Sequence, residues 1–133
     1  MNVFYNTIVF VKDLKKSVDF YKNILGIRII TEYDTIVFFE NHLVIHDGND
    51  LLNTVYKKRP LFNRKKGKKN IELYFETDDI EKEFKNIKNN NIKIIHGIEE
   101  QLWGQKVFRF YDPDMHIVEI GEAMHLDYLK KNI

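Results

Sequence analysis

The chain contains no cysteine. Disulfides, thiolate nucleophiles and cysteine-ligated metals are therefore excluded. No apolar run approaches the length of a membrane span. Met1–Val3 leads straight into a strand pattern, without the charged and apolar regions of a signal peptide, so a cytoplasmic location is expected. Net charge is nearly absent as well. A formal value of +1 sets up no strong global field, which argues against a dedicated nucleic-acid or membrane binder. Tryptophan is scarce, with Trp103 alone, but there are 10 phenylalanines and 7 tyrosines, and 44% of the residues are hydrophobic. At 133 residues that content supports one compact domain with a substantial core.

The sequence repeats itself. A shift of 66 residues lays Thr7–Val11 on Leu73–Thr77, so that Asn6 falls on Glu72 and Ile8 on Tyr74. The same shift lays Asp13 on Asp79, Leu14 on Ile80, Val18 on Phe84 and Tyr21 on Ile87. After one deletion, Ile27–Ile30 falls on Ile92–Ile95. Each half, at roughly 65 residues, would be marginal alone, so the two are expected to fold together. Duplication brings equivalent strand positions together, and chemistry is sought there.

The halves read alike. Thr7–Val11 is a β-branched strand candidate, and Asp13 is placed to cap a helix. Leu14, Val18, Tyr21 and Leu25 recur on one helical face, and Gly26 stands where a left-handed helix end is expected. Arg28–Thr31, Thr35–Phe39 and Leu43–His46 are strand candidates. In the second half Ile71–Glu76 is a strand, Asp79 a cap, and Ile80, Phe84 and Ile87 a helix face ended by Asn89–Asn91. Lys93–His96, Lys106–Tyr111 and Ile117–Ile120 follow as strands, the last two joined by an Asp112-Pro113-Asp114 turn. The expected fold class is α+β, with modules at about 4–48 and 70–121, a connecting loop at 49–69 and a C-terminal helix at 122–131. The loop is dense in lysine and arginine between Lys57 and Lys69. A solvated linker, a basic lid over an anionic substrate and a nucleic-acid contact are three readings of it; the thin aromatic interleaving of Tyr56 and Phe62 disfavours the third.

Candidate chemistry lies on the polar face of Ile71–Glu76, where Glu72, Tyr74 and Glu76 alternate with apolar neighbours. Glu119 sits inside the apolar run Ile117–Ile120, where a carboxylate is costly unless paired, protonated or metal-bound. Its counterpart in the first half is Ile45 or His46; the matching distances to Gly48 and Gly121 favour His46. Asn6, His46, Glu72 and Glu119 would then converge from four strands. One imidazole, one amide oxygen and two carboxylates suit Zn, Ni, Mn, Fe or Mg. Arg109, opposite in face to Phe108 and Phe110, is read either as a structural ion pair or as a clamp for a substrate carboxylate or phosphate. Trp103, Tyr74 and Phe38 are candidate substrate contacts. His42, His96, His116 and His125 are weaker site candidates.

Two segments resemble the vicinal oxygen chelate superfamily, which includes glyoxalases, bleomycin-resistance proteins, extradiol dioxygenases and fosfomycin-resistance enzymes. Val11–Gly26, with its Asp-Leu start, Phe20-Tyr21 pair and Leu25-Gly26 end, is similar to the family's opening helix. Phe110–Ile120, with glutamate on the last strand after an Asp-Pro-Asp turn, resembles its closing hairpin. The resemblance implies two βαβββ modules forming a curved mixed sheet around a cavity, helices outside. It places metal ligands at Asn6, His46, Glu72 and Glu119, with Asn6 where histidine or glutamine is usual and Glu72 where histidine is common. An amide, a histidine and two glutamates match the composition of the glyoxalase I set in a permuted order.

Two functions follow from that likeness, beside a blander third, a regulatory or subunit-like domain whose cavity is vestigial. One is a metal-dependent lyase or isomerase acting on adjacent substrate oxygens through an enediolate-like intermediate, with Glu119 as base and Glu72 next. The other is a metal-free small-molecule-binding protein of bleomycin-resistance type, with Glu72 facing a cationic ligand. Both imply a small-molecule partner, no organic cofactor and a homodimer.

Overall fold

The structure, a computed structural model, describes residues 1–58 and 65–124. Strand β1, Thr7–Val11, ends at Asp13, whose carboxylate accepts from the backbone N–H of Lys16 and so caps helix α1, Leu14–Asp19. The expected helix continues to Ile24, but as a π-helical turn over Phe20–Ile24. The wider turn lets two adjacent aromatics face inward, Phe20 at 2% exposure and Tyr21 at 0%. Gly26 then takes φ +73, the left-handed end expected of it. Strands β2 (Ile29–Glu32), β3 (Ile36–Phe39) and β4 (Leu43–Asp47) complete the first sheet. Its order is β1-β4-β3-β2, with β1 parallel to β4 and the other pairs antiparallel.

The second half repeats this plan. Strand β5 (Glu72–Thr77) leads through the Asp79 cap into a helix, Ile80–Asn89, followed by β6 (Ile94–Glu100), β7 (Lys106–Tyr111) and β8 (Ile117–Glu122). The sheet order is β5-β8-β7-β6, again with one parallel pair, β5 with β8. Two four-stranded mixed sheets, each entered by a strand and a helix, give the α+β fold of two βαβββ modules.

Each module covers one sheet face with its helix. In the first, Val9, Val11, Val37, Phe39 and Ile45 are buried beside Phe20 and Tyr21, the Tyr21 and Phe39 rings 6.1 Å apart. In the second, Phe108, Phe110, Val118 and Ile120 are buried with Ile80 and Ile87, and Phe84 meets Phe108 edge-on at 5.2 Å. Such aromatic contacts add about 0.5–1.5 kcal/mol each to plain burial. The opposite face of each sheet is left for other uses.

The stretch 49–69, expected as loop, begins instead with helix α2, Gly48–Tyr56, so the Ile80–Asn89 helix is α3. Asp47 caps α2 by accepting from the N–H of Asp50. The lysine-rich composition downstream masked the helical spacing of Leu51, Leu52 and Val55. Residues 59–64, and with them Phe62, lie outside the described residues. So do His125 and most of the expected C-terminal helix. Glu122, its expected first residue, closes strand β8.

By internal contacts the first unit is Met1–Lys68 with Pro113–Met115, and the second is Lys69–Asp112 with His116 onward. Within the first, the Asp114 carboxylate accepts from the backbone N–H of Lys12 at 3.0 Å to either oxygen and from that of Lys66 at 3.2 Å. Within the second, Asp112 is buried and holds both the backbone and the ring of His116, at 2.9 and 2.8 Å. Among the described residues no helix is long and apolar enough to cross a membrane.

Candidate functional site

The uncovered face of the second sheet carries the charge. Strand register sets Glu119 of β8 between Tyr74 of β5 and Arg109 of β7, and sets Arg109 beside His96 of β6. Residues opposite one another in a ladder share a face, so these side chains meet. Arg109 Nε donates to Glu72 Oε1 at 2.7 Å, and its Nη2 lies 2.6 Å from Glu119 Oε1. Its Nη1 is 2.9 Å from His96 Nε2. Arginine has no acceptor, so His96 Nε2 accepts and Nδ1 carries the hydrogen. That hydrogen is donated to the Gly97 carbonyl at 2.7 Å, with Glu99 Oε1 3.7 Å from the same nitrogen. One extra residue of β6 is inserted on either side of His96, between Ile94 and His96 and between His96 and Glu99. Bulges re-aim side chains, and these flank the histidine that backs Arg109.

Two carboxylates face one guanidinium here. Glu119 is buried, its side chain 7% exposed against 37% for Glu72. Burial first, and the negative charge of Glu72 second, push the Glu119 carboxyl above the usual range; Arg109 opposes them and does not prevail. Burial works against the charge of Arg109, but its hydrogen bond to Glu72 and the attraction of both carboxylates raise its pKa.

Beside this cluster runs a neutral chain. Trp103 Nε1 donates to Gln105 Oε1 at 2.8 Å, while Gln105 Nε2 donates to the Tyr74 hydroxyl at 2.7 Å and the Glu122 carbonyl at 2.8 Å. The Tyr74 hydroxyl donates to Glu76 at 2.7 Å. A Cβ at position 121 would stand 2.5 Å from Gln105 Nε2, so Gly121 leaves the room that this amide fills. Gln105, buried in the loop after Trp103, went unmarked because a lone glutamine carries no sequence signal. Burial, then the bond to Glu76, pushes the Tyr74 hydroxyl up to about 12. Spectrophotometric titration is therefore expected to show one tyrosinate forming near 12 rather than near 10, and Tyr74→Phe to remove that late phase. Because the folded value is the higher one, the stability linked to Tyr74 holds below about 10 and is lost as pH rises through about 12.

The first sheet's uncovered face is different. It borders a cavity of about 520 Å³ whose lining includes Tyr5, Asn6, Thr31, Tyr33, Phe38 and His42. Tyr5 meets His42 edge-on at 4.6 Å, and His42 Nδ1 is 3.3 Å from Asn6 Oδ1. Among the described residues no aspartate, glutamate, lysine or arginine lines it.

Register also corrects the pairing of the two halves. Ile8, equivalent to Tyr74, pairs with Val44, whereas Tyr74 pairs with Glu119. Val44, not His46, is thus the counterpart of Glu119. Likewise Phe38 answers to Arg109, and Thr31 to His96. The glycine spacing misled because Gly121 lies inside β8, paired with Val107, while Gly48 starts a helix. His46 shares Val44's face two residues further on, with Nε2 2.9 Å from Asp50 Oδ2. Its Nδ1 is buried and has no partner among the described residues.

Glu72 and Glu119 each spend an oxygen on Arg109, and a fixed positive charge sits against both. Among the described residues no three histidines, aspartates or glutamates form a metal-holding group. The side chains as arranged do not fit a divalent ion.

A duplicated βαβββ protein with one aromatic and one charged sheet face is the class that fold and site define. The glyoxalase-like domain family matches residues 4–125, and the chain belongs to that family, within the vicinal oxygen chelate superfamily. It is 28% identical to the metallothiol transferase FosB of Staphylococcus saprophyticus over 91% of this chain and 79% of that one. It is 26% identical to FosB of Lysinibacillus sphaericus over 91% and 84%. Among solved structures, a protein of unknown function from Agrobacterium tumefaciens superposes with a TM-score of 0.87 at 39% identity, covering 93% of this chain and 96% of that one. Lactoylglutathione lyase from the same bacterium superposes at 0.71 with 18% identity over 92% and 95%, a likeness of fold.

Proposed function

We propose that this chain is a metal-free, small-molecule-binding member of the family, taking an uncharged planar ligand in the first module's cavity. The observation that carries the reading is the cavity itself. About 520 Å³ falls within the usual range for small ligands. Tyr33 and Phe38, set edge to face at 6.2 Å, offer ring contacts, while Asn6, Asn41 and Thr31 offer hydrogen bonds. No aspartate, glutamate, lysine or arginine among the described residues lines it, so a charged ligand would find no ion pair there. Glu72, already held by Arg109, is not needed as an acidic contact.

Calorimetry with indole, quinoline and coumarin as probes tests the proposal. At least one is expected to bind and raise the melting temperature, and Phe38→Ala to weaken it by about tenfold, the equivalent of 1.4 kcal/mol. A flat response to all three, with hemithioacetal turnover on adding Ni or Zn, would overturn it.

One observation supports the metal-dependent lyase or isomerase as a second reading. His46 is oriented as ligating histidines are, with one nitrogen on a carboxylate and the other left bare. The FosB relatives' name, metallothiol transferase, supports the metal and speaks for a transferase rather than a lyase. That reading needs Glu72 and Glu119 released from Arg109, and elemental analysis of the purified protein tests it. The expected homodimer belongs to both readings, and light scattering decides it.

A further inference from the structure

We infer that Arg109 is the resident cation of the second module: its guanidinium fills the seat between Glu72 and Glu119 that a divalent ion would need, and so keeps such an ion out. Three features show a built seat rather than a chance ion pair. Each nitrogen of the guanidinium has its own acceptor, Nε with Glu72 at 2.7 Å, Nη2 with Glu119 at 2.6 Å and Nη1 with His96 at 2.9 Å. The histidine that completes the set is flanked by bulges in β6, without which Ile94–Glu100 would run past Arg109 in regular register. The Nδ1 hydrogen of His96 goes to the Gly97 carbonyl behind it, and the lone pair of Nε2 points at the guanidinium. Two carboxylates and one neutral imidazole are also a donor set for zinc, nickel or manganese. What separates the two occupants is the side chain of Arg109. The first module makes the contrast plain. At the equivalent positions Phe38 stands for Arg109, Val44 for Glu119, Thr31 for His96 and Asn6 for Glu72, so the cation, both carboxylates and the imidazole are absent together.

The seat, once emptied, is open to cations of either kind. Arg109→Ala leaves two carboxylates facing each other across a gap of guanidinium size. Guanidinium ion restores the lost hydrogen bonds in kind; a divalent ion replaces them by coordination.

This inference rests on the metal-free reading above, and the experiment separates the two. Wild type, Arg109→Ala and Arg109→Lys are dialysed against Zn, Ni and Mn, and bound metal is measured by elemental analysis alongside melting temperature. Wild type and Arg109→Lys are expected to take up none, while Arg109→Ala takes up an ion at least about tenfold more tightly. Guanidinium chloride at low millimolar concentration is expected to raise the melting temperature of Arg109→Ala and not that of wild type. An Arg109→Ala protein that gains neither affinity overturns the inference and leaves the metal-free reading standing. Wild type that binds metal as tightly as Arg109→Ala overturns both. Wild type that binds metal but about tenfold more weakly than Arg109→Ala overturns the reading and supports the inference. Should Arg109→Ala fail to fold, Arg109→Gln, which keeps volume and loses charge, carries the same comparison.

Discussion

Arg109→Met is expected to lower the unfolding free energy by about 3 kcal/mol at neutral pH, the loss that follows when one member of a buried ion pair is removed. The side chain of Glu119 is 7% exposed, and Arg109 supplies its one cationic partner among the contacts described. Methionine fills most of the volume, so the effect measured is mainly that of a stranded carboxylate. Its pH dependence has a definite sign. The Glu119 pKa is already raised by burial and by Glu72, and Arg109 is the influence that lowers it. Without Arg109 the folded value climbs further. A carboxyl whose folded pKa exceeds its unfolded one contributes stability that is complete below the unfolded value and is lost as pH rises through the folded value. Urea denaturation is therefore expected to show a larger deficit for Arg109→Met at pH 8 than at pH 5. Adding Glu119→Gln to Arg109→Met is expected to recover much of the loss, because the buried charge is then gone. Glu72→Gln alone is expected to lose about 1 kcal/mol or less, since that carboxylate keeps contact with water. A deficit that does not change with pH would mean that Glu119 is not the group left stranded.

The duplication was legible because strand alternation and capping are local properties. Asp13 and Asp79 cap equivalent helices through the same hydrogen bond, three residues on, and a shift of the sequence finds both. Most strand limits also lie close to expectation, Lys106–Tyr111 without change, but β6 runs on to Glu100 where an end at His96 was expected. Three features were not legible, each for a reason beyond the local chain. The π-helical turn at Phe20–Ile24 reflects a core that accepts two successive rings, which the spacing of Leu14, Val18, Tyr21 and Leu25 does not reveal. The true counterpart of Glu119 is fixed by ladder register, and glycine spacing is a poor guide to register when one glycine is in a strand and the other begins a helix. The meeting of His96 with Arg109 depends on two inserted residues in β6, for which Gly97, a glycine inside a strand, was the one local signal. Glu72, Glu119 and Arg109 were each singled out from sequence; that they satisfy one another was not.

That mutual satisfaction divides the labour between the halves. In the second module the acid, the base and the imidazole are bound to each other, so the face is stiff and its charges are nearly spent internally. In the first module the equivalent positions are apolar, hydroxyl or amide, and space is left open. The two halves share a plan, yet one leaves open space and the other carries the charge.

Asp114→Ala is expected to destabilise the chain by about 3 kcal/mol, as two hydrogen bonds to a charged group are worth about 1.5–3 kcal/mol each and part is regained by solvation. Asp114 is 2% exposed. Its carboxylate accepts from the N–H of Lys12, just past the end of β1, and from the N–H of Lys66, 48 residues before it. Its own carbonyl accepts from Gly67 N–H at 2.9 Å. The turn residue next to it, Met115, has φ 67, a left-handed conformation that non-glycine residues adopt only when neighbours hold it. In alanine the carbonyl bond survives while both carboxylate bonds go, leaving partly buried N–H groups without partners. Asp114→Asn keeps one acceptor oxygen in place and is expected to lose about half as much. Hydrogen exchange at Lys12 and Lys66 supplies the local readout: both amides are expected to exchange faster in Asp114→Ala than amides of the second sheet, such as that of Phe108. Equal acceleration at Phe108 would mean that the substitution weakens the whole fold rather than releasing this fastening.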